Sequence, residues 1–151
     1  MYPSLFNEQT LNEMLDRIDK LTPDSQALWG KMNVAQMLAH NNVAFDISSG
    51  KISVSYNFLT RWMLKTFVKP TVVGAKPYVK NGRTAPVFIV ADEKEFTTEK
   101  TKLVDNFRRF QAAGAATYEG KISSSFGKMT SQEWSNQYWK HLDHHLRQFG
   151  V

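Results

Sequence analysis

The chain has 151 residues, 42% of them hydrophobic and 22% charged, the balance of one globular domain able to bury a core of its own. It contains no cysteine, which excludes disulfides, thiolate metal sites and a cysteine nucleophile. The formal charge is +5, but Lys51, Arg61, Lys65, Lys69, Lys76, Lys80 and Arg83 are scattered and lack the density of a nucleic-acid reader. No nucleic-acid partner is expected, and an acidic small substrate explains the charge equally well.

Met1 to Glu8 show neither the basic flank nor the apolar run of a signal peptide. Periodicity then predicts a first helix from about Asn7 to Lys20, with Leu11, Met14, Leu15, Ile18 and Leu21 at helical spacing. Pro23 breaks the chain in a turn. Asn33 is a good N-cap for a second helix reaching Ile47, which Gly50 stops. A third helix is expected over Val54 to Val68, with Phe58, Leu59, Trp62, Met63 and Phe67 as its apolar positions and Pro70 closing it. Tyr56 to Val68 is the longest apolar segment, and Arg61 and Lys65 interrupt it. No stretch approaches the ~20 apolar residues of a membrane span, so the expectation is a cytoplasmic protein without a membrane partner.

Thr71 to Pro86 reads as a long surface loop suited to a lid or a substrate wall, and Val87 to Val90 as a short extended piece. A fourth helix is expected from Glu93 to Ala113, ended by Gly114, followed by a second loop to Lys128. Thr130 and Glu133 form a capping-box pattern for a last helix reaching Phe149. Five helical segments and little strand signal predict an all-α bundle in one domain, residues 1–151, with an extra short helix and long loops.

The four histidines are His40, His141, His144 and His145. His141 and His145 are four apart, so on a helix they share a face, offset by about 40°. That spacing makes a chelating pair of the kind found on zincin helices. His40, in the middle of the second helix, is the natural third ligand. On the last helix Trp134, Tyr138, Leu142, Leu146 and Phe149 define an apolar stripe. With His141 at zero, the stripe centres at about 80–100°, His145 lies on its edge and His144 turns towards solvent at about −60°. On the second helix Val34, Met37, Leu38, Ala44 and Phe45 form the stripe, with His40 at roughly 110° from its centre. The competing reading is a polar helix face whose histidines complement the C-terminal dipole, and His144 suits it.

Three imidazoles suit zinc, nickel, copper or iron and leave an open coordination position. A divalent metal there lowers the pKa of bound water or thiol. Without cysteine the chain must borrow any thiol from a small molecule. Among neighbouring residues, Asn41 is an odd amide in the apolar stripe, either a site residue or a buried amide satisfied by backbone. Gln148, about 20° from His141 on the wheel, either orients a ligand or frays into solvent. Asp143 points away from the pair and reads as a surface acid. Trp29, Trp134 and Trp139 either wall a pocket or belong to the core.

Trp29-Gly30-Lys31-Met32-Asn33-Val34-Ala35-Gln36-Met37-Leu38-Ala39-His40 resembles the W-x-x-x-x-x-A-x-x-L-x-H start of the second helix in DinB/YfiT-like proteins. His141-Leu142-Asp143-His144-His145-Leu146-Arg147-Gln148 resembles their H-x-x-H-H-x-x-Q ending. Phe126 to Thr130, with Glu133-Trp134 and Lys140-His141, is similar to one uncharacterised branch of that superfamily. The resemblance spans nearly the whole chain. It implies a four-helix bundle of up-down-down-up order and a metal, zinc or nickel foremost and iron or manganese next, held by His40, His141 and His145. It also implies a homodimer, and thiol transfers that use bacillithiol, mycothiol or glutathione, or a thiol-dependent isomerisation. Asn41, His144 and Gln148 are then supporting or substrate-facing positions. One departure stands out: Ser123-Ser124-Ser125 occupies the place of a His-Pro pair. The expected function is a metal-dependent enzyme, with thiol (S-)transfer from a low-molecular-weight thiol to a small-molecule substrate first. Metal-dependent hydrolysis is the second reading, and a non-catalytic metal- or ligand-binding stress protein the third.

Overall fold

A computed structural model describes residues 2–151. The chain is mostly helical, and its core is built by four long helices. Helix α1 (Glu8–Asp19) starts where the Asn7 side chain accepts the Thr10 N–H, and buries Leu11, Met14 and Ile18. Helix α2 (Val34–Ser48) starts on a reciprocal pair, in which Asn33 Oδ1 accepts the Gln36 N–H and Gln36 Oε1 accepts the Asn33 N–H. It is buried almost all round because it packs between the two long C-terminal helices, α5 (Phe96–Tyr118) and α6 (Ser131–Gln148).

The third helical region departs from the expectation. Helix α3 (Phe58–Met63) begins after the N-cap Asn57, four residues later than predicted. The chain does not stop at Pro70 but runs through a π turn (Leu64–Val68) into α4 (Lys69–Val73). Proline lacks an N–H and its ring excludes the carbonyl four residues back. The π turn resolves this by pairing Lys69 N–H with the Leu64 carbonyl, five residues back. Pro70 then falls in the first turn of α4, where a missing donor costs nothing. None of the apolar residues assigned to this helix enters the core: Phe58, Leu59, Trp62, Met63 and Phe67 are all exposed.

The end of α4 is held by α6. Asn136 Nδ2 donates to the Val73 carbonyl at 2.9 Å. The buried Lys140 ammonium donates to the Gly74 carbonyl at 3.0 Å and to the Thr71 carbonyl, a cation at a helix C-terminus where the dipole favours it. From this anchor the loop of residues 74–95 returns to α2. Its expected extended piece is a 3-10 turn (Pro86–Phe88), with Pro86 opening it.

Helix α5 (Phe96–Tyr118) starts on Glu95, whose carboxylate accepts the Thr97 and Thr98 N–H groups and is thereby held down to about pKa 2. It is interrupted but not ended at Gly114 (φ 77°, ψ 157°). One more turn carries Tyr118 onto Phe110, ring centroids 4.5 Å apart. A small antiparallel hairpin follows, the one sheet among the described residues of a mostly helical chain. Strands β1 (Ile122–Ser123) and β2 (Gly127–Lys128) pair Ile122 with Lys128 and Ser123 with Gly127. Ser123 Oγ accepts the N–H groups of Ser125 and Phe126, so the triple-serine departure forms the hairpin turn.

Helix α6 (Ser131–Gln148) starts on the Thr130–Glu133 capping box. Helices α1 and α2 both pack on α5 and α6. Phe45, Phe107, Phe110 and Tyr138 form the aromatic centre, with Phe45 and Tyr138 stacked at 4.1 Å and 3°. Beside these rings, part of the α2–α5 seam is polar and satisfied. Asn106 Nδ2 donates to Asn42 Oδ1 at 2.9 Å, and Asn42 Nδ2 donates to Glu99. No helix among the described residues is long and apolar enough to cross a membrane.

Candidate metal centre

The α2–α6 packing sets the register of the histidines. Leu142 and Leu146 are fully buried on α6, Met37 and Leu38 on α2. These contacts turn His141 and His145 towards His40. Their ligand nitrogens all lie within 4.8 Å of one another. His40 and His145 are buried and His141 is partly buried. The rings meet edge to face, with centroids 4.6 to 5.0 Å apart.

Hydrogen-bond partners fix which nitrogen of each ring is available. His40 Nδ1 lies 2.7 Å from the Phe88 carbonyl, which can only accept, so Nδ1 carries the proton and Nε2 keeps its lone pair. Gln148 Nε2 donates to the Trp29 carbonyl at 2.6 Å, which turns Gln148 Oε1 onto His145 Nδ1 at 2.7 Å. His145 Nδ1 therefore also holds the proton and its Nε2 is free. His141 Nε2 lies 2.8 Å from His40 Nε2 and donates to it; a neutral His141 would have to carry that proton on Nδ1 instead before both Nε2 atoms could share an ion. A carbonyl or amide oxygen behind the outer nitrogen of an imidazole is the arrangement that orients metal-ligating histidines.

The electrostatics favour neutral, ligating imidazoles. Burial pushes His40 below its usual pKa, against the Phe88 bond, and a charge on His144 would push the same way. Burial, then repulsion from the other three histidines, drives His141 well below the ordinary range. Burial and repulsion from His40 lower His145 to about 3. The uncharged trio in a sheltered place fits a divalent cation in its donor chemistry, its convergence and the tautomers of His40 and His145. These residues could hold such an ion.

The remaining sequence candidates sort clearly. Asn41 is buried but bonds back to the Met37 carbonyl at 3.0 Å, the ordinary satisfaction of a helix amide, so it supports the helix and not the centre. Gln148 is buried rather than frayed, and positions His145. His144 is half-buried, 5.1 Å from the His145 ring, and edges against Trp29 and Tyr78. It lines a cleft with Tyr2, Trp29, Tyr78, Lys80, Lys140, Asp143 and Arg147; none of the trio lines that cleft, and His144 is its link to the His145 ring. Asp143 is no free surface acid: it bridges Arg17 at 2.9 Å and Arg147 at 3.0 Å. Trp134 is core, Trp139 stacks on Tyr2, and Trp29 belongs to the site.

Three positioning residues escape a reading of side-chain types. Phe88 and Trp29 act through backbone carbonyls, which any residue carries. Gly30, at φ +87°, gives its space to Gln148, whose amide would collide with a Cβ there. The available signal was the long 71–86 loop, whose continuation through Phe88 walls the histidines: its ring lies 5.7 Å from His40 and 5.9 Å from His141.

A family model described as "Protein of unknown function (DUF1569)" matches residues 4–150 of this chain. No curated protein and no solved structure matches it.

Proposed function

The chain belongs to the family of unknown function DUF1569, and from that premise we propose that it is a metal-dependent enzyme holding one divalent ion, zinc or nickel, on His40, His141 and His145. We read the four long helices as a bundle of up-down-down-up order, akin to DinB/YfiT-like proteins. The observation that carries the proposal is the convergence of three neutral imidazoles, two of them tautomerically fixed by Phe88 and by the Gln148–Trp29 relay with Nε2 free.

Such an ion supplies Lewis acidity to a bound thiol or water. The chain's own residues supply the rest. Phe88 and Gln148 hold the outer protons of His40 and His145. Phe88 walls the His40–His141 side. Beside His144, the Lys80 ammonium lies over the Trp29 ring at 4.2 Å and Arg147 lines the same cleft. Arg147 is already paired with Asp143, which lines the cleft too, so Lys80, in no ion pair among the described residues, is the cation that suits a carboxylate of a low-molecular-weight thiol or another acidic small molecule. With no cysteine in the chain, thiol transfer to an electrophilic small molecule is the reaction that matches the site.

Metal analysis of protein purified without a histidine tag or chelator tests this. Stoichiometric metal is expected in the native chain, none in His141→Ala, and full occupancy in His144→Ala. Equal loss in both variants, or a native chain that neither carries nor takes up zinc or nickel, overturns the centre. Given metal, turnover of a thiol with an electrophilic acceptor separates a transferase from a metal-binding protein.

A further inference from the structure

Between Asp46 and Asp92 the chain carries seven basic residues and no acidic one, so the rest of the molecule has a formal charge of −2 against a total of +5. Lys51 is paired with Asp46 and Lys69 with Glu133. Arg61, Lys65, Lys76, Lys80 and Arg83 form no ion pair among the described residues, and all five are exposed. Helix α3 lies inside this acid-free stretch. It runs straight on into the π turn, and none of its residues is buried.

The arrangement of α3 side chains is the reverse of a core helix. On α3, at about 100° per residue, Phe58, Trp62, Leu59 and Met63 occupy one side of the helix, and Phe67 extends it in the π turn, with the exposed Thr66 as a polar residue inside this face. Phe58 is 87% exposed, Phe67 63% and Leu59 62%. Thr60 and Leu64, the half-buried positions, lie on the other side, and Leu64 packs on the core. Arg61 and Lys65 fall between the two, along one edge of the apolar arc. Contiguous exposed apolar surface of this kind marks an interaction site.

We propose that α3 and the π turn form a docking surface for an anionic lipid bilayer, lying in the plane of the interface with Phe58, Leu59, Trp62, Met63 and Phe67 among the acyl chains and Arg61 and Lys65 at the headgroups. An apolar arc flanked by cations is the pattern of an interfacial helix, whereas a helix seated in a protein groove needs only a narrow i, i+3, i+4, i+7 stripe. The complete lack of acidic residues over the stretch removes repulsion from phosphatidylglycerol or phosphatidylserine surfaces. A second copy is a poor occupant, because a two-fold contact of this same acid-free stretch offers Arg61 and Lys65 no carboxylate from the partner. The expectation of no membrane partner rested on the lack of a spanning helix, and a helix that lies on the surface needs no span. This inference is independent of the metal centre.

Co-sedimentation of the metal-loaded full chain with vesicles tests it. Binding is expected to vesicles of phosphatidylcholine mixed with phosphatidylglycerol, weakening with salt, and not to phosphatidylcholine alone. Trp62→Ser with Phe67→Ser is expected to abolish binding with metal content and melting temperature unchanged. Arg61→Glu with Lys65→Glu, which touches no apolar contact, is expected to lower partitioning by about tenfold or more. Equal binding to both vesicle types, failure to bind either, or variants that bind like the native chain each overturn the proposal. So does a dimer, seen by sedimentation velocity without lipid, that Trp62→Ser converts to monomer.

Discussion

Helices α3 and α6 carry the same kind of signal in sequence, apolar residues at helical spacing beside charged ones, and they end in opposite environments. On α6 the stripe of Trp134, Tyr138, Leu142 and Leu146 is buried, and the histidines at its edge meet His40 across the α2 seam. On α3 the stripe faces water. Periodicity reports which residues share a face; it does not report what lies opposite that face. For α6 the opposite surface is supplied by α1, α2, α4 and α5. For α3 no such surface is supplied, since none of its residues is buried.

The largest expected effect is on the α6 side. Metal at a thousandfold excess over its Kd adds about 4 kcal/mol to stability, so chelation is expected to lower Tm by about 10 °C in this size class. His141→Ala should have the low Tm already and show no further response to chelator. A native chain whose Tm ignores both chelator and added zinc or nickel breaks the contrast between a functional α6 face and an unpartnered α3 face. The metal-free protein also acquires a pH dependence. The folded pKa values of His40, His141 and His145 lie below the unfolded value near 6.5, that of His145 at about 3. The unfolded chain therefore binds more protons between those limits. Stability is full above pH ~6.5 and falls as the pH drops towards 3. Urea midpoints across that range check it, and a flat profile contradicts buried neutral imidazoles.

Next comes packing. Leu142 is fully buried between the two histidines of α6, so Leu142→Ala is expected to cost about 2–5 kcal/mol and to weaken metal binding through lost register. If denaturant unfolding shows under 1 kcal/mol, Leu142 is not what orients the pair.

A smaller effect is expected at the relay. Gln148→Leu keeps the side-chain volume but removes the oxygen that holds the His145 Nδ1 proton. Metal affinity is expected to fall about 10–100-fold, measured by competition with a chromogenic chelator. Gly30→Ala should match it, since a Cβ at Gly30 displaces the Gln148 amide. Loss with Gly30→Ala but not with Gln148→Leu would mean that the loop, not the relay, matters.

The legible and illegible parts of this molecule divide along physical lines. His141 and His145 were legible because an i, i+4 pair follows from helix geometry alone, and the caps at Asn33 and Thr130 because capping is local. Gln148 was legible as a position on the same face, but its burial depends on Leu28, Trp29 and Gly30 closing over the helix end. The run through Pro70 was illegible because a π turn is a register change that composition does not announce. The turn past Gly114 was lost for a similar reason: a residue able to end a helix does so only when nothing downstream, such as Tyr118 on Phe110, rewards continuing. The β hairpin rests on four residues around Ser123 and offers no periodicity to detect.

The smallest predicted effect discriminates best between the two helices. Trp62 is half exposed and its closest aromatic partner is Phe67, itself exposed, at 5.8 Å. A large-to-small change there opens no cavity, so Trp62→Ser is expected to shift unfolding free energy by no more than about 0.5 kcal/mol. The same change at Trp134, which is buried against Tyr118 and Tyr138, belongs with core truncations of about 3–5 kcal/mol. Side-by-side urea titrations of the two variants measure the difference directly. A loss of several kcal/mol from Trp62→Ser would mean that α3 folds back onto the body in solution, and the two helices would no longer differ in what they face. A near-zero value leaves five large apolar side chains with no stabilising role inside the fold, which is why their role has to be sought outside it.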